Sequence, residues 1–376
     1  MEFRVLVVDD NASEDVIRLI SGNKVLNTED SIVCIACTNF DDALTHLKTE
    51  RYDLVTLDLK DDNADQNADP DSTELAGQKL YEQIKATRFI PIIFYSAYAY
   101  KLHGMEKPFV RVVTRGEIEQ LRDEVKSVID TKLPLLIRHL EEELRAYMWE
   151  SIEQLWPDDK VDSNDIVYLI ARRLASVLQG DVLREFLNQN GAALSEKQVH
   201  PIEMYVWPPV TQKSFFFGDI LKLRVDDAIN YFLILSPSCD LQQTGKAEFV
   251  TLGRCAPLEA CKEAQKVLAT IQAGNEVPAN EKGELKQFIK GGVKDRMKFL
   301  PGTHFLPDLV LDLQCLTTIE FNEITSDASR YEKVASLDRP YAESLQGQLS
   351  RYYGRIGTPD LALDIAYNRA IERLRS

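Results

Sequence analysis

FRVLVVDD, residues 3 to 10, decides the fold. The apolar run from Phe3 to Val8 reads as a buried strand, and it stops at two adjacent carboxylates, Asp9 and Asp10. A second run, LVTLDL at residues 54 to 59, ends in the same way around Asp58. Further short apolar or β-branched runs lie at Ile32 to Thr38, Pro91 to Tyr95 and Val110 to Val113, and most of the segments between them carry apolar residues at helical spacing. Strands alternating with helices imply a five-stranded parallel sheet covered on both faces, a doubly wound α/β fold of the flavodoxin-like kind. Ligands of such sheets bind beyond the carboxyl ends of the strands where the strand order reverses, which brings Asp10 and Asp58 together. Asn11, with Glu14 three residues later, gives a cap-like start to a helix through Val16 and Ile20, so the chain turns immediately after the acidic pair.

Carboxylates crowded at one sheet edge repel one another, and a hard divalent cation relieves that repulsion. Magnesium suits the place because it needs few protein ligands and keeps several waters. Asp9, Asp10 and Asp58 are therefore the candidate Mg2+ ligands. Asp58 is also a candidate nucleophile, because a carboxylate attacks a phosphoryl group to form an acyl phosphate while a metal neutralises the transferring oxygens. The competing reading is that these aspartates only end strands and cap helices. Residue type, strand position and order together favour the chemical one.

With those features, residues 1 to 130 resemble the receiver domain of two-component response regulators. The resemblance implies that Asp9 and Asp10 bind metal and that Asp58 accepts the phosphoryl group. It implies further that Ser96, closing the strand in IPIIFYSA, is the hydroxyl residue that contacts the phosphoryl group and rearranges on activation. The family's lysine after the fifth strand is less directly matched. Lys107-Pro108 has the family's dipeptide, but LHGME before it is not a strand, whereas VRVVT is, and it runs into Arg115. Arg115 is therefore given the role; it keeps the charge but presents a planar fork instead of a point charge. The glycine that the family places shortly after its acceptor is matched by Gly77, nineteen residues beyond Asp58. The intervening loop, KDDNADQNADPDSTELA, is enlarged and acidic, and Asp61, Asp62, Asp65, Asp69 and Asp71 read as a solvated flap, not as extra metal ligands. Only thirteen residues separate Ser96 from the fifth strand, so the fourth helix is expected to be short or distorted and the output surface altered.

Composition sets the wider frame. A chain of 376 residues, 44% of them hydrophobic, is expected to hold two to three domains: a receiver at 1–130, a helical connector at 131–195 and an α+β domain at 196–376. No segment approaches the length of a membrane span and the start MEFR is not a secretory signal, so a cytoplasmic protein without a membrane partner is expected. A net charge of -16 with pI near 4.9 lacks the cationic footprint of phosphate-backbone binding, which argues against a nucleic-acid partner. Six cysteines are too few and too scattered for a disulfide scaffold. Cys34 and Cys37 form a CxxC string, but in a strand they point to opposite faces.

Beyond Asp130, the apolar residues Leu133, Ile137, Leu140, Leu144, Tyr147 and Met148 mark an amphipathic helix ending around Trp156-Pro157. Its apolar face has three candidate partners: the receiver, the next domain or a second copy, the last making a homodimer. His139 is the histidine that evokes a phosphotransfer helix, yet nothing around it matches such a motif, and it reads as an ordinary helix residue. Two more helices are expected, IVYLIARRLASVLQ stopped by Gly180 and VLREFLNQN stopped by Gly191.

From about Lys197 the chain becomes strand-like, with IEMYVW, SFFFGDILKL, NYFLILS, AEFVTLG and LVLDLQCLTTI, then helices around Ala342 to Tyr352 and Leu361 to Leu374. These predict an α+β domain with a small barrel-like or strongly bent sheet. GDILKL followed by YFLILSPS loosely resembles SH3-like toxin endoribonucleases of the MazF and PemK type, but the arginines those enzymes place before the second strand are missing. Cys239, Cys255, Cys261 and Cys315 with His304 are candidate zinc ligands, yet no pair has structural-zinc spacing, and single buried thiols are the better reading. A nucleophilic Cys239 would need a histidine base, His200 or His304. Lys290-Gly291-Gly292 is too short to name a phosphate loop. The tyrosine- and arginine-rich stretch from Val334 to Leu361 either packs the last helices or forms a partner surface.

Taken whole, the chain resembles a receiver fused to an uncharacterised domain, an architecture similar to that of components of the antiphage phosphorelay systems called Detocs. That resemblance implies a phosphoprotein whose partners are a sensor histidine kinase and other receiver-containing proteins, one such component acting as a phosphate sink. A signalling phosphoacceptor that is not itself an enzyme then competes with a receiver-controlled effector enzyme, for example a MazF-like nuclease. Convergence of Cys239, Asp240 and His304 in one pocket would favour the second.

Overall fold

The computed structural model describes all residues except 12, 23–24, 27–29, 61–74, 103, 153–162, 179, 190–198, 227, 244, 292–294, 356–360 and 376. It forms two compact units, Met1–Glu196 and Lys197–Ser376.

The first unit runs β1 (Glu2–Val8), α1 (Ser13–Ile20), β2 (Ser31–Cys37), α2 (Phe40–Thr49), β3 (Leu54–Leu57), α3 (Ala76–Thr87), β4 (Ile92–Ser96), β5 (Val110–Thr114) and α4 (Ile118–Asp130). Its strands are all parallel, in the order β2-β1-β3-β4-β5. That is the flavodoxin-like, doubly wound order of CheY-like receivers. Both faces of β1 are buried: Leu6 and Val8 pack with Phe40, Leu80 and Phe94, while Phe3, Val5 and Val7 pack with Ile20, Leu121 and Val125. Two-sided burial explains why VLVV, residues 5 to 8, is continuously apolar instead of alternating. Cys37 lies in the first of these layers and Cys34 against the second, so the CxxC string is split by the sheet.

Between β4 and β5 the fourth helix is reduced to a 3-10 turn, Ala99–Leu102. Phe89 and Phe109, just before β4 and β5, lie edge to face, 5.0 Å between ring centres, and both are exposed. After α4, α5 (Leu133–Ala146) continues into a π-helical turn at Tyr147–Ile152. Of the three candidate partners for its apolar face, the structure shows the first, the parallel-sheet domain that precedes it. Leu135 joins the second core layer, and Arg138 Nη2 donates to Asp53 Oδ2 at 2.7 Å, at the amino end of β3. The expected stop at Trp156-Pro157 lies outside the described residues, as does Gly191. α6 (Ser163–Val177) and α7 (Gly180–Gln189) follow, and here Gly180 opens α7 instead of closing α6, since glycine is tolerated at a helix start as well as past its end. His139 stacks on Phe186, 4.4 Å between ring centres.

The second unit contains β6 (Tyr205–Val206), β7 (Asp219–Val225), β8 (Ala228–Ile234), α8 (Ser238–Gln242), β9 (Phe249–Pro257), α9 (Lys262–Gln272), α10 (Ala279–Ile289), β10 (Met297–Leu300), β11 (Leu309–Glu320), α11 (Asn322–Thr325), β12 (Tyr331–Leu337), α12 (Tyr341–Tyr353) and α13 (Leu363–Arg375). Its seven strands form one antiparallel sheet, β10-β11-β9-β8-β7-β12-β6. The sheet is strongly bent. The register shifts within β11 between Leu311 and Leu316 and within β12 between Lys333 and Ala335, and such irregularities kink a strand. The two edges curl toward each other until the Tyr205 hydroxyl donates to the Pro301 carbonyl at 2.9 Å.

Several sequence expectations need correction. IEMYVW yields only the two residues of β6 because Pro201–Met204 form a 3-10 turn. SFFFGDILKL enters the sheet only at Asp219, after Gly218 turns the chain with a φ of +91°. Strands β10 and β12 and helices α9 and α10 go beyond the expected elements, and the stretch beginning at Val334 starts inside β12. Cys255 is buried, but Cys239, in the first turn of α8, and Cys315, in the irregular part of β11, are exposed. Burial pushes the Cys255 thiol up to about 12.

Candidate functional site

The site is built where the strand order reverses, at the carboxyl ends of β1 and β3. Val8 lies opposite Leu57 in the parallel ladder, so the residues that leave the two strands share one edge. The ladder continues through them: the Asp9 amide donates to the Cys37 carbonyl at 3.1 Å and the Asp58 amide to the Val8 carbonyl at 2.9 Å. These bonds hold the two backbones, and short local bonds aim the side chains. Asp9 Oδ1 accepts from the Asn11 amide at 3.1 Å, and Asp58 Oδ1 accepts from the Leu59 amide at 2.7 Å. As a result one carboxylate oxygen from each of Asp9, Asp10 and Asp58 lies within 4.8 Å of the others. Among the described residues no other group of three or more histidine, cysteine or acidic side chains is so placed, the four cysteines and His304 of the second unit included.

Ser96 and Arg115 arrive from the next two strands. Ser96 ends β4, is fully buried, accepts from the Tyr98 amide at 3.1 Å and hydrogen-bonds the Asp58 carboxylate. Arg115 follows β5, where its amide donates to the Ser96 carbonyl at 3.0 Å. Its Nη2 donates to Asp58 Oδ2 at 2.8 Å and also to Asp9 Oδ2. Lys107 pairs with Val110 before β5 begins, at the opposite end of that strand from Arg115. The structure thus brings Asp9, Asp10, Asp58, Ser96 and Arg115 together and leaves Lys107 out.

The electrostatics favour a further cation. Burial raises the Asp58 carboxyl above the ordinary range; the Ser96 hydrogen bond and the Arg115 guanidinium pull it down, while the neighbouring Asp9 charge pushes it up. Desolvation is the largest of these effects, and Ser96 and Arg115 offset it only in part at Asp58. The carboxylate-only ligand set, packed to this spacing, fits a hard divalent ion that binds oxygen.

Two supporting residues complete the site. Gly77, in the first turn of α3, donates its amide to the Leu59 carbonyl at 2.9 Å, and a Cβ there would come within 2.1 Å of the Asp58 carbonyl oxygen. Glycine is required because the helix starts directly against the backbone of Asp58 and Leu59. Gly77→Ala is expected to destabilise the first unit by about 1–3 kcal/mol, as overpacking does. Urea unfolding followed by hydrogen exchange in β3 measures it, and an unchanged midpoint would remove Gly77 from the site. Tyr95 is the residue that sequence reasoning misses: its hydroxyl accepts from the Gly116 amide at 3.0 Å and its ring lies 5.8 Å from the Arg115 guanidinium. Its only sequence signal is its place beside Ser96. Asp61, Asp62, Asp65, Asp69 and Asp71 lie outside the described residues.

In the second unit the candidate triad does not assemble. Cys239 Sγ lies 3.5 Å from Asp240 Oδ1, and Asp240 pairs with Lys246 at 2.7 Å. His304 packs against Trp207 and Phe305, and His200 caps the turn at Pro201–Met204.

No family model and no curated protein matches the chain. Among solved structures it is similar to the receiver domain of the PhyR response regulator from Erythrobacter litoralis, with 19% identity over 34% of this chain and 90% of that one and a TM-score of 0.27. It is also similar to a CheY-like receiver domain from Methylobacillus flagellatus, with 20% identity over 34% of this chain and 99% of that one and a TM-score of 0.26. A third is the response regulator TrrA from Thermotoga maritima in complex with Mg2+ and BeF, with 23% identity over 34% of this chain and 98% of that one and a TM-score of 0.25.

Proposed function

We propose that the N-terminal domain is a magnesium-dependent phosphoacceptor and that Asp58 receives its phosphoryl group from a sensor histidine kinase. The observation that supports this is the convergence, from the ends of four neighbouring strands, of three clustered carboxylates with a buried hydroxyl and a guanidinium. Asp9, Asp10 and Asp58 would hold Mg2+, which supplies charge neutralisation on the transferring oxygens. The Asp58 carboxylate forms the new oxygen–phosphorus bond while the nitrogen–phosphorus bond of the donor histidine breaks and the imidazole leaves with the electron pair. The Leu59 amide keeps Oδ1 oriented, and the Arg115 fork and Ser96 hydroxyl stand ready to bind phosphoryl oxygens.

A planar guanidinium in place of a point charge, and a 3-10 turn in place of the fourth helix, make the readout of this phosphoacceptor its own. We read the whole chain as a cytoplasmic phosphate sink or regulator within a phosphorelay, of the kind used in antiphage defence, with other receiver-containing proteins as partners. Its support is the cluster of Asp9, Asp10 and Asp58 with Ser96 and Arg115, together with a second unit in which Cys239 lies against Asp240 while His304 packs on Trp207 and Phe305. No helix among the described residues is long and apolar enough to cross a membrane.

Phosphorylation by a small phosphodonor and Mg2+, with Asp58→Asn as control, tests the central reading. Metal binding is tested separately. If Asp9, Asp10 and Asp58 hold the ion, Mg2+ at a hundred times its dissociation constant is expected to stabilise the protein by about 2.7 kcal/mol. Thermal melts in rising Mg2+ should therefore shift upward in the wild type and much less in Asp10→Asn; a shift of equal size in both would remove Asp10 from the metal site.

A further inference from the structure

The second unit holds a cavity of about 400 Å³ beside the start of α12, with no part in the phosphoacceptor chemistry. At its floor lie Asp219, the first residue of β7, and Lys333 of β12, which are 0% and 3% exposed. Lys333 Nζ stands 3.1 Å from Asp219 Oδ2, donates to the Ser214 carbonyl at 2.5 Å and lies 4.8 Å from the centre of the Phe215 ring. Asp219 Oδ1 accepts from the Ser336 hydroxyl at 2.5 Å, and Oδ2 accepts from the Phe216 amide at 2.9 Å. An apolar pair of similar volume would serve folding as well as or better than a buried ion pair. An ion pair at the floor of a formed cavity therefore points to a ligand.

The hydrogen-bonding capacity that remains says what kind of ligand. An ammonium has three N–H donors, and two of those on Lys333 are taken by Asp219 and Ser214, leaving one. The Ser238 hydroxyl accepts from the Phe217 amide at 2.9 Å, which leaves its proton to donate. The interior thus offers two donors to an oxygen, on a floor that the Asp219–Lys333 pair leaves without net charge. The rim has the opposite character. Asp338 and Glu343 are both exposed there, and the one cation among them, Arg339, pairs with Glu343 at 3.1 Å across solvent, a contact that opens at little cost. Between floor and rim the walls include Val206, Val210 and Phe216, and Val210 is 90% exposed.

We propose that this cavity binds a small zwitterion of the α-amino-acid class. The carboxylate lies toward Lys333 and Ser238, the ammonium toward Asp338 and Glu343, and an apolar side chain against Val206, Val210 and Phe216. A simple anion would meet the acidic rim, and a simple cation would leave the two floor donors unmet. This inference is independent of the phosphoacceptor reading.

The test uses the full chain and the twenty free amino acids, one at a time, observed by saturation-transfer NMR and titrated by calorimetry. An amino acid with an apolar side chain is expected to bind, and its matched amine and its matched carboxylic acid to bind at least about tenfold more weakly, since each leaves one end of the site unpaired. Gln346→Trp, an exposed position on α12 that lines the cavity, should block binding with the fold intact by circular dichroism, and Ser238→Ala should weaken it about fivefold. Asp58→Asn should bind as the wild type does. Failure of all twenty to bind, equal binding of the matched amine or acid, or unimpaired binding by Gln346→Trp would each overturn the proposal.

Discussion

Asp58→Asn is expected to lose phosphorylation. With Mg2+ and acetyl phosphate, or with the cognate kinase, the wild-type chain is expected to take up an acid-stable, base-labile phosphate, and the variant to fall by at least about a hundredfold because an amide is no nucleophile. The substitution is well suited to the question. The introduced asparagine retains an oxygen for the Leu59 amide, which approaches Asp58 Oδ1 at 2.7 Å, so the exit of β3 keeps its local bond. It also removes one of the two carboxylates that Arg115 holds, leaving the guanidinium on Asp9. Ser96→Ala provides the contrast: it removes a partner of the Asp58 carboxylate and leaves the nucleophile, so labelling should slow but persist. Equal labelling of the wild type and Asp58→Asn would place the phosphate elsewhere and sink the assignment.

Lys333→Met is expected to be the most destabilising single change in the second unit. The methionine fills a similar volume, but it leaves the Asp219 carboxylate, which is fully buried, without its cation. Breaking a buried pair from one side costs about 3–5 kcal/mol, several times the cost of an average substitution. The Ser336 hydroxyl and the Phe216 amide still bond Asp219, so the loss comes chiefly from the unpaired charge, and the Ser214 carbonyl loses the Lys333 ammonium as its donor. The double variant Lys333→Met with Asp219→Asn should therefore recover much of the stability, since asparagine is neutral, its one side-chain oxygen accepts from the Phe216 amide, and its amide nitrogen donates to the Ser336 hydroxyl. Denaturant unfolding, with hydrogen exchange resolved in β7 and β12, separates this unit from the first. A Lys333→Met protein within about 1 kcal/mol of the wild type would show that the carboxylate has other compensation.

The parts of the molecule that can be read in advance are those whose signals are local. FRVLVVDD and LVTLDL show a strand, its two-sided burial and its acidic end within eight residues or fewer, and the alternation with helical spacing is enough to order the sheet. Arg115 is preferred to Lys107 because VRVVT is a strand and LHGME is not, and the structure places the two residues at opposite ends of β5. The thirteen-residue interval after Ser96 foretells a short or distorted fourth helix, and the structure has a 3-10 turn there. Gly77 is matched by family position, but its physical reason, a helix start pressed against the Asp58 carbonyl, belongs to packing. In the second unit MKFL and the start of YEKVASL carry charges within their short runs, so β10 and β12 do not stand out, and the pattern of α9 and α10 is obscured for the same reason.

The sequence by itself determined the doubly wound sheet, the acidic edge and the residues that line it, because strand ends and hydrophobic periods are written in neighbouring residues. Tertiary structure alone decided that Arg115 bridges Asp9 and Asp58 over the Tyr95 ring, that α5 returns to Asp53, and that Asp219 meets Lys333 at the floor of a cavity. Those contacts join residues far apart in the chain. Sheet register and the packing of helices onto it bring them together, and no local pattern encodes a distance that only a folded core can set.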